Sequence, residues 1–71
     1  MNHHRLNRIY RRRELPAFTG LGRTKIGELI EAGEFPKPIQ LTDGGRAVAW
    51  LEEDLIAWQN QRIVARNSAE V

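Results

Sequence analysis

The sequence predicts a small α+β domain that is mostly helical, and three patterns among its 71 residues lead to that class. Two short helical segments flank a turn that contains two glycines. Alternating apolar and polar residues on either side of Asp-Gly-Gly then predict a two-stranded β-hairpin. A longer segment with acids at its start predicts a C-terminal helix. Helix, turn and helix form a helix-turn-helix, and the hairpin adds a wing, so the predicted architecture is a winged helix-turn-helix.

Length and composition limit the class of protein. A chain of 71 residues makes one domain, and it buries only about 60% of its unfolded surface, so its core must be small. The chain contains no cysteine, which excludes disulfides and thiolate zinc sites and fits a reducing cytosol. Its sequence shows neither a signal peptide nor an apolar stretch of transmembrane length. We therefore expect a soluble cytoplasmic protein without a membrane partner.

The first helical segment contains Pro16, which a helix tolerates only in its first turn. This helix should therefore begin near Arg12 or Arg13. Leu15 and Phe18 are three residues apart, so both are expected to face inward.

The second helical segment covers residues 23–32 and carries three apolar residues on one face, Ile26, Leu29 and Ile30. Gly33 is placed to end this helix in a left-handed conformation. Gly27 lies inside the helix, where glycine costs roughly 1 kcal/mol relative to alanine. It either allows the close approach of DNA or of a packed neighbour, or it has no role.

The hairpin follows two prolines that break the helical pattern. Its strands are predicted at residues 39–41 and 47–50, around a turn at residues 42–46. A lone hairpin is not stable in water, so it must pack on the helices. The last helix is expected from Leu51 to Arg62. The two tryptophans, Trp50 and Trp58, are expected to be buried because they are the largest apolar side chains available.

Neither catalysis nor metal binding is expected. The acids Glu52, Glu53 and Asp54 are consecutive, so their side chains diverge, and their position at a helix start is explained by the helix dipole. His3 and His4 are adjacent and lack a further ligand nearby, so they do not predict a metal site. The sequence offers neither a nucleophile–base pair nor a phosphate-binding loop. We expect a protein that is not an enzyme and needs no cofactor or metal.

Charge is divided unevenly along the chain. Residues 1–27 carry seven Arg or Lys and one acid, for a net charge of +6, whereas residues 28–71 carry four and eight, for −4. Such a separation favours a polyanionic partner on one side of the molecule. The alternative is an Arg-rich tail that is simply solvated.

Several motifs together resemble the AlpA-type prophage regulators. They are Arg13-Glu14-Leu15, Thr19-Gly20-Leu21-Gly22-Arg23-Thr24-Lys25-Ile26, Gly33-Glu34-Phe35-Pro36-Lys37-Pro38-Ile39, Gly45-Arg46-Ala47-Val48-Ala49-Trp50 and Ala57-Trp58. The resemblance runs from about residue 8 to residue 62. The family commonly has Ser at the place of Gly22 and a large or aromatic residue at the place of Gly27. These regulators are small winged helix-turn-helix proteins related to phage excisionases and, more distantly, to the DNA-binding part of MerR-type regulators.

The resemblance implies a bacterial or prophage-encoded protein that binds double-stranded DNA, is found with the nucleoid, and controls integrase or excision genes. It also leaves open an excisionase-type architectural protein that directs site-specific recombination. An alternative of another class is an adaptor that contacts an integrase or polymerase through an apolar strip, Ile56 and Ile63. A domain this small makes few base contacts, so useful specificity would need self-association on DNA.

By the same resemblance, helix 23–32 would enter the major groove and the hairpin around Gly45 and Arg46 would touch the minor groove or backbone. The residues expected to read bases are Arg23, Thr24, Lys25 and Glu28. The residues expected to contact phosphates are Arg11, Arg12, Arg13, Lys37 and Arg46. The DNA-binding domain is predicted at residues 8–62, between a flexible N-terminus at 1–7 and a loose tail at 63–71.

Overall fold

The structure, a computed structural model, describes residues 6–69, with side chains up to Ser68. Its elements in chain order are β1 (Ile9–Tyr10), a 3₁₀ turn (Arg12–Glu14), α1 (Leu15–Thr19), α2 (Arg23–Glu31), β2 (Ile39–Gln40), β3 (Val48–Leu51) and α3 (Glu52–Ala69). The predicted fold class is confirmed, because two short helices around a glycine turn, a hairpin and a C-terminal helix are all present. The adjacent histidines and most of the N-terminus predicted to be flexible lie outside the described residues.

Strand β3 occupies the centre of a three-stranded antiparallel sheet with the order β1-β3-β2. Its first half pairs with β2, where Ala49 lies opposite Ile39, and its second half pairs with β1, where Trp50 lies opposite Tyr10. Strands β2 and β3 are the predicted hairpin. The third strand, β1, precedes the helices and is not among the predicted elements. The sheet therefore joins the start of the described chain to the wing, and β3 continues directly into α3.

The core takes one large apolar side chain from each of α1, α2, β3 and α3, and one from the segment after α2. Its buried residues are Leu15, Ile26, Phe35, Trp50 and Leu55, and none is more than 6% exposed. The indole Nε1 of Trp50 donates a hydrogen bond to the carbonyl of Pro36 at 2.7 Å, so its polar atom is satisfied. Leu29 and Ile30 pack against this core from α2, as their spacing with Ile26 predicts.

Helix α2 ends in a Schellman motif at Gly33. The Gly33 N–H donates to the carbonyl of Ile30 at 3.1 Å, and the Glu34 N–H donates to the carbonyl of Leu29 at 2.9 Å. This double closure requires a left-handed residue, and Gly33 has a φ of 75°. The predicted end of the helix is therefore confirmed together with its physical reason.

Two hydrogen bonds fix the start of α3 to the N-terminal strand region. The Glu52 N–H donates to the carbonyl of Arg8 at 2.9 Å, and the Tyr10 hydroxyl donates to Oε1 of Glu52 at 2.6 Å. The hydrogen bond to the Glu52 carboxylate raises the pKa of Tyr10, because the carboxylate favours the protonated phenol. An acid that the helix dipole already favours thus also connects β1 to α3.

Two aromatic side chains lie elsewhere than the sequence predicts. Phe18 does not face the core; it is 44% exposed and packs against Tyr10 with tilted rings and a ring-centroid distance of 4.3 Å. Helix α1 is only five residues long, and Leu15 takes its buried position. Trp50 is buried as expected, but Trp58 is only half-buried and packs at the core's edge, 5.3 Å from Phe35. Leu55, one turn earlier, occupies the centre.

The bounds of the last helix also differ from the prediction. Helix α3 begins at Glu52, because Leu51 still belongs to β3, and it continues to Ala69 instead of ending near Arg62. Residues 62–69 lose the apolar pattern but contain neither glycine nor proline. Backbone hydrogen bonding can therefore continue along an exposed helix, since propensity and not burial decides at such positions.

Replacing Trp50 by alanine should cost about 3–5 kcal/mol of unfolding free energy, enough to unfold a domain of this size. The large cavity and the lost Pro36 hydrogen bond both act in this direction. Thermal unfolding followed by circular dichroism measures the effect. Val64→Ala is the control, because Val64 is 61% exposed, and it should leave the melting temperature nearly unchanged. Equal melting temperatures for both variants would contradict the core assignment.

Candidate nucleic-acid interface

Helix α2 presents its first turn to solvent. Gly22 precedes the helix in an extended conformation, and its carbonyl accepts the first helical hydrogen bond, from the Ile26 N–H at 3.0 Å. Glycine supplies no side-chain oxygen to cap the first turn. The four residues predicted to read bases are all exposed on this part of α2: Arg23, Thr24, Lys25 and Glu28. Three hydrogen-bond donors and one acceptor are thus available to a ligand.

Lys25 and Glu28 contact each other across one turn. Lys25 Nζ lies 3.5 Å from Oε1 of Glu28, and both side chains are 61% exposed. An exposed pair at this distance contributes at most a few tenths of a kcal/mol, by the general behaviour of i,i+3 ion pairs. Either side chain can therefore exchange this partner for a ligand at little cost.

The side chain of Arg12 lies against the middle of α2. A Cβ atom at Gly27 would lie only 2.9 Å from Nη2 of Arg12, a distance at which one of them must move. Gly27 therefore permits a close approach, and the approaching group is a packed neighbour from the 3₁₀ turn. The guanidinium occupies the space that a side chain at position 27 would fill.

The arginine-rich turn is closed by Glu14. The Arg11 N–H donates to Oε1 of Glu14 at 2.7 Å, and the Glu14 N–H donates to the carbonyl of Arg11 at 2.9 Å. This reciprocal closure resembles a capping box. It offsets the cost of having Arg11, Arg12 and Arg13 at a helix start, and all three remain exposed.

The wing residues are exposed but lie apart from this cluster. Arg46 follows a turn that is closed by the Gly45 N–H donating to the carbonyl of Thr42 at 3.2 Å, and Gln40 also donates to Gly45. Lys37 lines a groove against α3 that also includes Asp54. Lys37 is thus on the side of the molecule that carries the acidic start of α3, whereas Arg12 lies against α2.

A second groove runs between α2 and α3. It has a volume of about 760 Å³, and Lys25 lines it together with Arg62, Gln61 and the half-buried Trp58. Glu34 also lies at this groove. Arg62 therefore shares a surface with a residue that the sequence assigned to base reading.

Comparison with known proteins identifies the family. A family model described as prophage CP4-57 regulatory protein (AlpA) matches residues 8–63, most of the chain. The chain belongs to the AlpA family. A similar protein is ORF88 of Enterobacteria phage P4, described as uncharacterized, with 44% identity over 59 residues. The alignment covers 83% of this chain and 65% of ORF88, so the chain spans less than two thirds of that relative. No solved structure matches the chain.

This membership confirms the resemblance stated from the motifs of the sequence. The family is a regulatory one and not an enzyme family. Within residues 6–69, none of the helices combines the length and the apolar character that crossing a bilayer requires.

Two residues of this AlpA-family chain, Glu14 and Arg62, belong to the candidate interface but are not among the DNA-contacting residues predicted from sequence. Glu14 has a recognisable signal, because an acid three residues after a turn-initiating residue is the spacing of a capping box. Arg62 has no local signal, since its proximity to the Lys25 groove depends on how α3 packs on α2. The contact between Arg12 and Gly27 likewise joins residues of two different elements.

Gly27→Ala should raise the unfolding free energy by up to about 1 kcal/mol, because alanine is the better helix former and the end of the Arg12 side chain can move aside. Gly33→Ala is the matched comparison. Its left-handed φ should make the same substitution destabilising by about 1–2 kcal/mol. Urea unfolding of both variants measures the difference. A destabilising Gly27→Ala would show that the Arg12 guanidinium is held rigidly against α2.

Proposed function

We propose that this AlpA-family protein binds double-stranded DNA sequence-specifically and regulates prophage or mobile-element genes, including those for integration and excision. The observation that carries the proposal is the exposed first turn of α2, where Arg23, Thr24 and Lys25 stand in sequence and the Arg12 guanidinium lies against the same helix. A helix with exposed donors at its N-terminal end suits the major groove, where base edges present acceptors.

The proposed division of roles follows the chemistry of each side chain. Arg23 and Lys25 suit guanine, whose major-groove edge has two acceptors, and Glu28 can accept from a cytosine amino group. The arginine turn and the two wing cations, Lys37 and Arg46, contact phosphates and set the position of the domain. The +6 charge of residues 1–27 supplies the attraction.

An architectural role is the closest alternative within DNA binding. An excisionase-type protein would use the same helix and wing but would occupy several adjacent sites in an attachment region and bend the DNA. Footprinting separates the two, because a regulator protects a promoter site whereas an excision factor protects repeated sites. Self-association on DNA fits either role, since one domain of this size makes few base contacts.

An adaptor of integrase or polymerase is the candidate from another class. The observation that favours it is the exposure of an apolar strip on α3, where Ile56 is 47% and Ile63 is 48% exposed. Such a surface would bind its partner mainly through apolar contacts, so its affinity would depend little on salt.

Salt dependence tests DNA binding against the adaptor. About five cations reach phosphates in the proposed arrangement, and each contributes about −0.9 to the slope of log K against log salt, so the slope should be roughly −4 to −5. A fourfold rise in potassium chloride should then weaken binding by about 250- to 1,000-fold. The measurement is a titration, by fluorescence anisotropy, of a labelled duplex selected by the protein from a random pool.

The control for this titration is Arg66→Ala. Arg66 lies near the far end of α3, where its guanidinium bonds Asn67, and its removal changes the net charge by the same amount as loss of any phosphate contact. The control should keep the wild-type slope. Failure to select any duplex at low salt, or a slope shallower than about −1, would exclude the proposed DNA binding.

Arg23→Ala and Arg46→Ala should weaken binding in different ways. Loss of Arg23 should cost about 1–3 kcal/mol on the selected duplex and relax base preference at one position, because a base contact is lost. Loss of Arg46 should weaken binding about equally on every duplex, because a phosphate contact carries no sequence information. Affinities for the selected duplex and its single-base-pair variants decide between these patterns. A reversed result would place specificity in the wing.

A further inference from the structure

We propose that Arg12 is a base-reading residue that acts from the surface of α2, in the place of a side chain at position 27. This inference rests on the proposed DNA binding and changes the role of Arg12, which the sequence alone assigns to a phosphate. The observation behind it is the contact of the Arg12 guanidinium with α2 at Gly27, where a Cβ would lie 2.9 Å from Nη2.

The position of Gly27 on the helix places this guanidinium among the proposed reading residues. Gly27 follows Arg23 by four residues and precedes Glu31 by four, so the three lie in one row along α2. Thr24 and Glu28 flank the row on its solvent side, three residues before and one residue after Gly27. Arg12 therefore enters the middle of the row, one turn after Arg23.

The dimensions of the major groove then determine what Arg12 can reach. A helix with its side chains is about 10–12 Å wide, and the groove is about 12 Å wide, so a group on the row that contains Arg23 lies inside the groove when that row faces the bases, as the proposed role of Arg23 requires. An arginine there faces base edges, and its bidentate contact with guanine is the commonest specific contact. Arg11 and Arg13 flank Arg12 in the chain, but among the described residues neither lies within 4 Å of a Cβ at Gly27, and we assign them to the phosphates.

The guanidinium is also available for this contact. Among residues 6–69, the ion pair within 4.0 Å joins Lys25 and Glu28. Arg12 therefore has no carboxylate partner within that distance in the described part of the chain. Its side chain is exposed, and the 3₁₀ turn that carries it is fixed by the Arg11–Glu14 closure. Because position 27 is a glycine, α2 has no side chain there, and a cation from a neighbouring element occupies the same surface.

The test compares base preference in Arg12→Ala, Gly27→Leu and Arg13→Ala. Each variant is titrated against the duplex that wild-type protein selects from a random pool and against every single-base-pair variant of that duplex. Arg12→Ala should lose discrimination at one base pair, where wild type discriminates by about 5- to 150-fold, and keep it at the others. Gly27→Leu should lose discrimination at the same base pair, because its side chain displaces the guanidinium. The double variant that combines Arg12→Ala with Gly27→Leu should discriminate at this base pair no less than either single variant.

Arg13→Ala is the matched control, with the same charge change in the same turn. It should weaken binding to all duplexes by a similar factor and leave base preference intact. The inference is overturned if Arg12→Ala behaves like Arg13→Ala, or if Gly27→Leu leaves discrimination unchanged. Circular dichroism confirms that each variant is folded. Failure of wild type to select a duplex would instead overturn the proposed function, and the role of Arg12 with it.

Discussion

The burial of Trp50 is the interaction on which the rest of the structure depends. A buried indole must place its N–H on an acceptor, and the carbonyl of Pro36 is that acceptor. The segment around Pro36 is stiff, because a second proline follows two residues later. One hydrogen bond thereby fixes the exit from α2 against β3. Since β3 pairs with β1 and β2 and leads into α3, the same strand also positions those three elements.

A core this small determines which surfaces are left for binding. Helix α2 buries Ile26 fully and turns Leu29 and Ile30 partly inward, so its opposite side has no structural task. The basic cluster and the acidic cluster are each stabilised by groups close to them in the fold. Glu14 closes the arginine turn, and the helix dipole together with Tyr10 accommodates the acids at the start of α3. Both clusters therefore persist in the fold, with Arg12 of the arginine turn against α2 and the acids in the first turn of α3.

The parts of the fold that the sequence predicts are those governed by local physics. The 3.6-residue spacing places Ile26 in the core, and the left-handed preference of glycine ends α2 at Gly33. The exposure of Phe18 was not predictable, because it depends on how few residues of a one-turn helix can face inward. The length of α3 was missed for a different reason, since an apolar pattern marks burial and not the end of helical hydrogen bonding.

In the candidate site, too, local features are predictable from sequence and contacts between elements are not. The exposed surface of α2 is predicted from sequence, because Thr24 and Glu28 lie opposite the apolar face. The proximity of Arg12 to Gly27 and of Arg62 to Lys25 is not, because each pair joins elements distant in the chain. Their roles on DNA, and the boundaries of the domain at residues 8 and 62, stay predictions.

Gly27, inside α2, and Gly33, just after it, are glycines for different physical reasons. At Gly33 the backbone requires glycine, because φ is 75° and a side chain would be strained whatever lies around it. At Gly27 the backbone is helical and any residue would be accepted, and the group that fills the space of a side chain there is the mobile end of Arg12. Leu15 of α1 and Ile26 of α2 share the buried core, and α1 directly follows the arginine turn, so the core connects that turn to α2. A cation carried by one element can therefore take the place of a side chain of the other. The cost to the helix is the low helix propensity of glycine.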